Sequence, residues 1–187
     1  MNWAFKHSIL LIALLLILVT GCKDDYLTPP AQIVYYNTLP DSAVESSHIL
    51  SELLSDSDTR TRAWASYMQS RKLIRKSEFI AALPHIENAE YLFRDLNDQL
   101  GLSKTLHYKA HAYWSIGVNS NNILEFCNEA ISLAPPDRWS TYSGNLSIYL
   151  QEMGYHKEVL NLSDTLLPMF KGVQANLSEA YAVRAVS

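Results

Sequence analysis

The sequence predicts an all-α protein, and three observations predict it. Glycine is scarce, six in 187 residues. No Asn-Gly or Asp-Gly pair offers a two-residue hairpin turn, and no long stretch alternates apolar and polar residues with period two. Helix breakers recur instead at nearly regular intervals: Leu100-Gly101, Gly117 to Asn122, Pro135-Pro136-Asp137, Gly154 and Lys171-Gly172.

The first element is a short segment, Met1 to Ser8, whose only full charge is Lys6, followed by eleven continuous apolar residues from Ile9 to Val19. It ends in Leu18-Val19-Thr20-Gly21-Cys22. Eleven apolar residues are too few to cross a hydrocarbon core, which needs about 20. A positive start, an apolar core and small residues ahead of a cysteine resemble a bacterial lipoprotein signal peptide with its lipobox. The resemblance implies cleavage of residues 1–21, acylation of Cys22 with palmitate-type chains, and a membrane partner held through that lipidated cysteine. Two or three acyl chains on one residue satisfy the two-signal requirement for stable anchoring. Lys23-Asp24-Asp25 resembles the export signal of Bacteroidota-type surface lipoproteins. It implies a place in the bacterial cell envelope, at the outer membrane and exposed at the surface.

Residues 22–40 read as a flexible tether. Pro29, Pro30 and Pro40 block helix, and Ile33-Val34-Tyr35-Tyr36 is too short and isolated to found a sheet. From residue 41 to 187 the chain reads as helices. Ser42-Ala43-Val44-Glu45 has the capping-box pattern, and Ile49, Leu50, Leu53 and Leu54 form the stripe of the helix it opens. Helix pairs follow at 59–76 with 79–97, at 103–116 with 121–134, and at 138–152 with 156–170. A last helix, about 174–187, has no partner.

Regular breaks prompt a search for repeats. In the second pair Leu106, Ala110, Tyr113 and Gly117 precede Ile123, Cys127, Ala130 and Pro135. In the third, Leu146, Ser147, Leu150 and Gly154 precede Val159, Ser163 and Leu166. In the first, Ser70, Leu73 and Ser77 precede Ala82, Ile86 and Ala89. This pattern resembles the tetratricopeptide repeat over about residues 60–187. The signature Trp of its first helix is absent, and Lys109 stands where a Leu is usual. The family's fold implies antiparallel helix pairs in a right-handed solenoid. The stretch from Ala89 to Gly101 is similar to the extended variant of the repeat found in sensory and signalling proteins. The last helix is apolar around most of its circumference, through Ala175, Leu177, Ala180, Tyr181, Val183 and Val186. Either it pairs with another molecule, or the chain is the front part of a longer repeat protein.

Composition narrows function. Removing residues 1–21 leaves 14 basic against 19 acidic residues, a net −5. That balance argues against nucleic acid as a partner. With Cys22 acylated, Cys127 has no partner for a disulfide, and its apolar helical setting reads as core. No Gly-x-Ser-x-Gly, phosphate-cradling glycine loop or His-Glu-x-x-His is present, so no enzyme and no cofactor is expected. His107 and His111 have zinc-ligand spacing on one helix face but lack a third ligand, so no metal is expected. Carboxylates such as Asp95 and Asp98 sit at ordinary surface spacing.

The repeat resemblance implies a concave ligand groove lined by Trp64, Tyr67, Arg71 and Arg75, then Lys104, His107, His111 and Trp114, then Thr141, Ile148, Gln151 and Glu152. Basic residues among aromatics suit an acidic protein or peptide partner. The competing reading makes Trp64 and Tyr67 core and the charges a solvated face. The function expected is a membrane-anchored repeat lipoprotein that binds a protein or peptide. Two alternatives stand beside it: the front of a repeat-containing envelope sensor or transcriptional regulator, and the front of a glycan-capturing outer-membrane lipoprotein. The latter is suggested by Cys22-Lys-Asp-Asp-Tyr-Leu followed by prolines.

Overall fold

The computed structural model describes residues 28–40, 44–118, 121–152, 154 and 157. The signal peptide, Cys22, the capping serine Ser42, the helix expected at 156–170 (save Lys157) and the last helix lie outside the described residues. Among the described residues there are seven α-helices and no strand: α1 Ala31–Tyr36, α2 Val44–Leu54, α3 Thr59–Arg75, α4 Phe79–Asp95, α5 Gln99–Ser115, α6 Asn121–Leu133 and α7 Pro136–Glu152. The all-α class stands. None of these helices is long and apolar enough to cross a membrane.

The central helices follow a strict metre. α3, α4 and α5 are each 17 residues long and begin at 59, 79 and 99. Their turns share one chemistry. Ser77, Asn97 and Gly117 each take positive φ, at 61°, 53° and 74°. At each turn the next residue's amide reaches back to the last helical turn: Glu78 to Leu73 at 3.0 Å, Asp98 to Phe93 at 3.0 Å and Val118 to Tyr113 at 3.1 Å. This is the Schellman closure, in which a left-handed residue satisfies the orphan carbonyls of the helix end. Two aspartates open alternate helices. Asp58 accepts from the Thr61 amide and Asp98 from the Gly101 amide, each at 2.8 Å.

Two departures from expectation follow. Leu100-Gly101 does not break the chain; it lies in the first turns of α5. The break falls two residues earlier, where Asn97 supplies the left-handed turn and Asp98 the cap. Gly101 is needed for packing: a Cβ there would lie 2.3 Å from Phe93 Cε1. The second departure is α1, inside the stretch expected to be tether. Pro30 occupies its N-cap. A proline there removes an amide that the helix end would leave unbonded in any case. Ile33 and Tyr36 point into the main core.

The helices form two ranks. α3 packs on α4, α4 on α5, α5 on α6 and α6 on α7, while α3 also touches α5 directly. In the first rank Lys104 lies over the ring of Trp64 at 5.1 Å, and Tyr67 meets Tyr108 at 5.6 Å. Further along, His107 stacks on Tyr142 at 4.2 Å and Trp114 meets Tyr149 at 5.0 Å. Partners advance together along both chains, so α3, α5 and α7 run parallel, side by side. α1 and α2 close the first end against α3. Most positions read as a repeat are core: Ser70, Ala82, Ile86, Ala89, Leu106, Ala110, Ile123, Cys127, Ala130, Leu146, Ser147 and Leu150 are buried, whereas Leu73, Tyr113 and Pro135 are half-buried, Ser77, Gly117 and Gly154 are exposed at turns, and Val159, Ser163 and Leu166 lie outside the described residues. Small residues here let neighbouring backbones approach, and Ser103 Oγ uses that approach to donate to the Ala130 carbonyl at 2.9 Å.

Candidate functional site

The groove residues separate into two groups. Trp64 is 0 % exposed and Tyr67 is buried beside it, so neither faces a ligand. Both belong to an aromatic core in which Trp64 meets Tyr67 edge-on at 5.7 Å and Phe93 at 5.2 Å. Burial and the neighbouring Tyr108 push the Tyr67 phenol well above its ordinary range. The indole N–H donates to Asp98 Oδ2 at 3.2 Å.

Asp98 was expected at the surface and is instead fully buried. It caps α5, accepts from Trp64, and lies 3.7 Å from the Arg60 guanidinium. One carboxylate thus ties the start of α3 to the start of α5. Its signal in the sequence was Asp-x-x-Gly at the helix start; its burial depends on Trp64, thirty-four residues upstream.

The remaining groove residues lie on the first rank. Arg71 donates to Asn37 Oδ1 at 3.2 Å and Arg75 is exposed at the end of α3. Lys104 is half-buried over Trp64. His107 Nε2 lies 3.2 Å from Asn145 Nδ2, and in the tautomer that accepts from this amide the ring proton is on Nδ1. Burial, then the charge of His111, pulls its pKa down to about 4. Burial also lowers His111, whose ring lies against Phe79 at 5.7 Å and Trp114 at 6.2 Å. Both imidazoles are therefore neutral near pH 7. The cationic face expected from five side chains reduces to Arg71, Arg75 and Lys104. No intervening helix separates Arg71 from His111, because α3 and α5 are direct neighbours. In the third set Thr141, Ile148 and Glu152 are exposed and Gln151 is half-buried.

A charged cluster on the other side of α5 was not foreseen. Lys109 Nζ lies 2.6 Å from Glu90 Oε2, with side-chain exposures of only 13 % and 15 %. Arg94 bonds Glu90 at 2.9 Å and Glu129 at 2.7 Å. The Lys109 ammonium also sits 4.3 Å over the Phe126 ring. The Arg94 hydrogen bond holds the Glu129 carboxyl below its ordinary range. The network joins α4, α5 and α6. The Lys109 stem packs while its head finds a carboxylate.

Cys127 is buried, and desolvation pushes its thiol up to about 12, which makes it unreactive. Among the described residues no group of three or more His, Cys, Asp or Glu is arranged to hold a metal ion. Comparison of the chain with protein-family models, with curated proteins and with solved structures finds no match.

Proposed function

We propose that the protein is a lipid-anchored helical-repeat adaptor of the bacterial envelope, and not an enzyme. The observation that carries the anchor is the run Leu18-Val19-Thr20-Gly21-Cys22, which closes the eleven apolar residues from Ile9 to Val19. In this reading residues 1–21 are removed and Cys22 carries the acyl chains. The helices behind it form a tetratricopeptide-like array. Support comes from the shared turn chemistry and from the parallel rank of α3, α5 and α7. Two helices advance forty residues, from 59 to 99, against about 34 in the family. The array is accordingly a long-helix relative of that repeat.

The partner surface is the outer side of the first rank, and the ligand is an acidic protein or peptide segment. Arg71, Arg75 and Lys104 supply its charge, with the uncharged edges of His111 and Trp114 beside them. Aromatic stacking by Trp64 and Tyr67 is no part of it.

Growth with a clickable palmitate tests the anchor. Label is expected on the protein and lost in Cys22→Ser; label that persists in the variant overturns the lipoprotein reading. Photocrosslinkers at positions 75 and 104, compared with positions 87 and 91 on α4, test the surface. Salt-sensitive adducts to one protein are expected from the first pair alone. Equal adducts from both pairs overturn the assignment.

A further inference from the structure

We infer that α1 is a membrane-docking foot: the outward side of this short helix rests on the bilayer to which Cys22 is attached. The inference deepens the lipid-anchor reading and rests on it.

Six large apolar side chains are exposed among the described residues: Val34, Tyr35, Ile80, Tyr91, Val118 and Ile148. Only Val34 and Tyr35 are consecutive, at 51 % and 53 % exposure. They belong to the element nearest the acylated cysteine. Eight residues separate Cys22 from Ala31. Fully extended, they reach about 30 Å, so α1 cannot stray far from the lipid surface. The patch continues into a cleft between α1 and α2 lined by Ala31, Tyr35, Ile49 and Leu53, with Glu52 and Asp56 also on its walls. An apolar strip ending in a tyrosine suits the headgroup boundary, where an amphipathic ring keeps its hydroxyl wet.

Alone, so small a patch would bind lipid weakly. Tethering changes the arithmetic, because a short linker holds the patch at high effective concentration beside its surface. The acidic walls set the lipid preference. Glu52 and Asp56 would be repelled by anionic headgroups, so the surface that fits is zwitterionic.

The foot is fixed to the array at both ends. Arg60 donates to the Thr28 carbonyl just ahead of α1, and Arg71 donates to Asn37 just behind it. Both arginines belong to α3, so α1 lies along that helix. Docking α1 therefore orients α3 in the membrane plane, and α5 and α7 stand successively farther from the lipid.

The experiment uses the protein purified from membranes and placed in phosphatidylcholine nanodiscs. Tetranitromethane modifies accessible tyrosines, and mass spectrometry reads each site. The mass of the Cys22 peptide reports acylation independently. Tyr91, 70 % exposed on α4, is the internal control. Relative to unanchored Cys22→Ser protein in solution, Tyr35 nitration is expected to slow about tenfold while Tyr91 stays unchanged. Adding phosphatidylglycerol to the discs should weaken the protection, and Val34→Glu should remove it without releasing the protein. An unacylated Cys22 peptide overturns the anchor and the foot together. Acylation with Tyr35 as reactive as in solution overturns the foot alone, as does equal protection of Tyr35 and Tyr91.

Discussion

Replacing Glu90 with leucine should destabilise the protein more than replacing its partner Lys109 with leucine. The two side chains sit 2.6 Å apart and are both mostly buried. Removing one member of a buried pair strands the other charge, at a cost of about 3–5 kcal/mol. The consequences are unequal here because the survivors differ. In Lys109→Leu, Glu90 keeps Arg94 at 2.9 Å and no charge is orphaned. In Glu90→Leu, Arg94 keeps Glu129, but Lys109 is left with the Phe126 ring at 4.3 Å and a more distant Glu129. The ring returns about 1–2 kcal/mol. A net loss of about 2–3 kcal/mol is expected, a fall in melting temperature of roughly 5–10 °C. The double variant Glu90→Leu/Lys109→Leu should recover to within about 1 kcal/mol of the parent, since a packed apolar pair replaces the ion pair at little cost. Thermal melting by circular dichroism and urea titration measure all three. Equal losses in the two single variants, or a double variant as weak as Glu90→Leu, would refute the argument from the stranded charge.

Gly101→Ala should lower stability by about 1–3 kcal/mol, because the new methyl meets the ring of fully buried Phe93; an unchanged melting temperature would show that Phe93 can yield. Ser77→Gly should raise stability by up to about 1 kcal/mol, since Ser77 holds φ at 61° where a Cβ is strained; a loss would mean that its side chain matters more than its backbone. Acid should weaken the fold before its carboxylates titrate. Well above pH 6.5 His107 is neutral in both states and stability is full; as pH falls through 6.5, the unfolded chain takes a proton that the folded ring refuses until about 4. Some 2 kcal/mol should be lost by about pH 5, with lowered His111 and His85 adding in the same direction. Urea midpoints across that range check it, and His107→Phe, which keeps a ring against Tyr142, should flatten the slope.

What could be read from the sequence was whatever depends on near neighbours. The helices at 59–76 and 79–97 were legible because their spacing and breakers are local, and the buried small residues from Ala82 to Ala130 because close packing repeats. Asp98 was misread because an acidic residue in a turn ordinarily faces water; Trp64 and Arg60, from another helix, decide otherwise. The helix α1 was missed for a related reason. Six residues are too few to nucleate a helix alone; docking of Ile33 and Tyr36, with the bonds from Arg60 and Arg71 of α3, supports it. The groove failed where it relied on aromatics and imidazoles. Helical spacing alone does not tell a ring in the core from one on the surface, and a histidine's charge depends on how deeply its neighbours enclose it.

The even metre of α3, α4 and α5 also has a kinetic meaning. Each of these helices finds its main partner about twenty residues away along the chain, and the next helix of the same rank about forty. Little loop entropy opposes such encounters, so the search for native contacts is short, as in other fast-folding helical proteins. Any adjacent pair can start the process, and growth can proceed from it in both directions. At the end closed by α1 the least protected amides should then be those of α1 and α2, with exchange slowing toward α4 and α5, so that the row opens there like a shelf of books from its outermost volume.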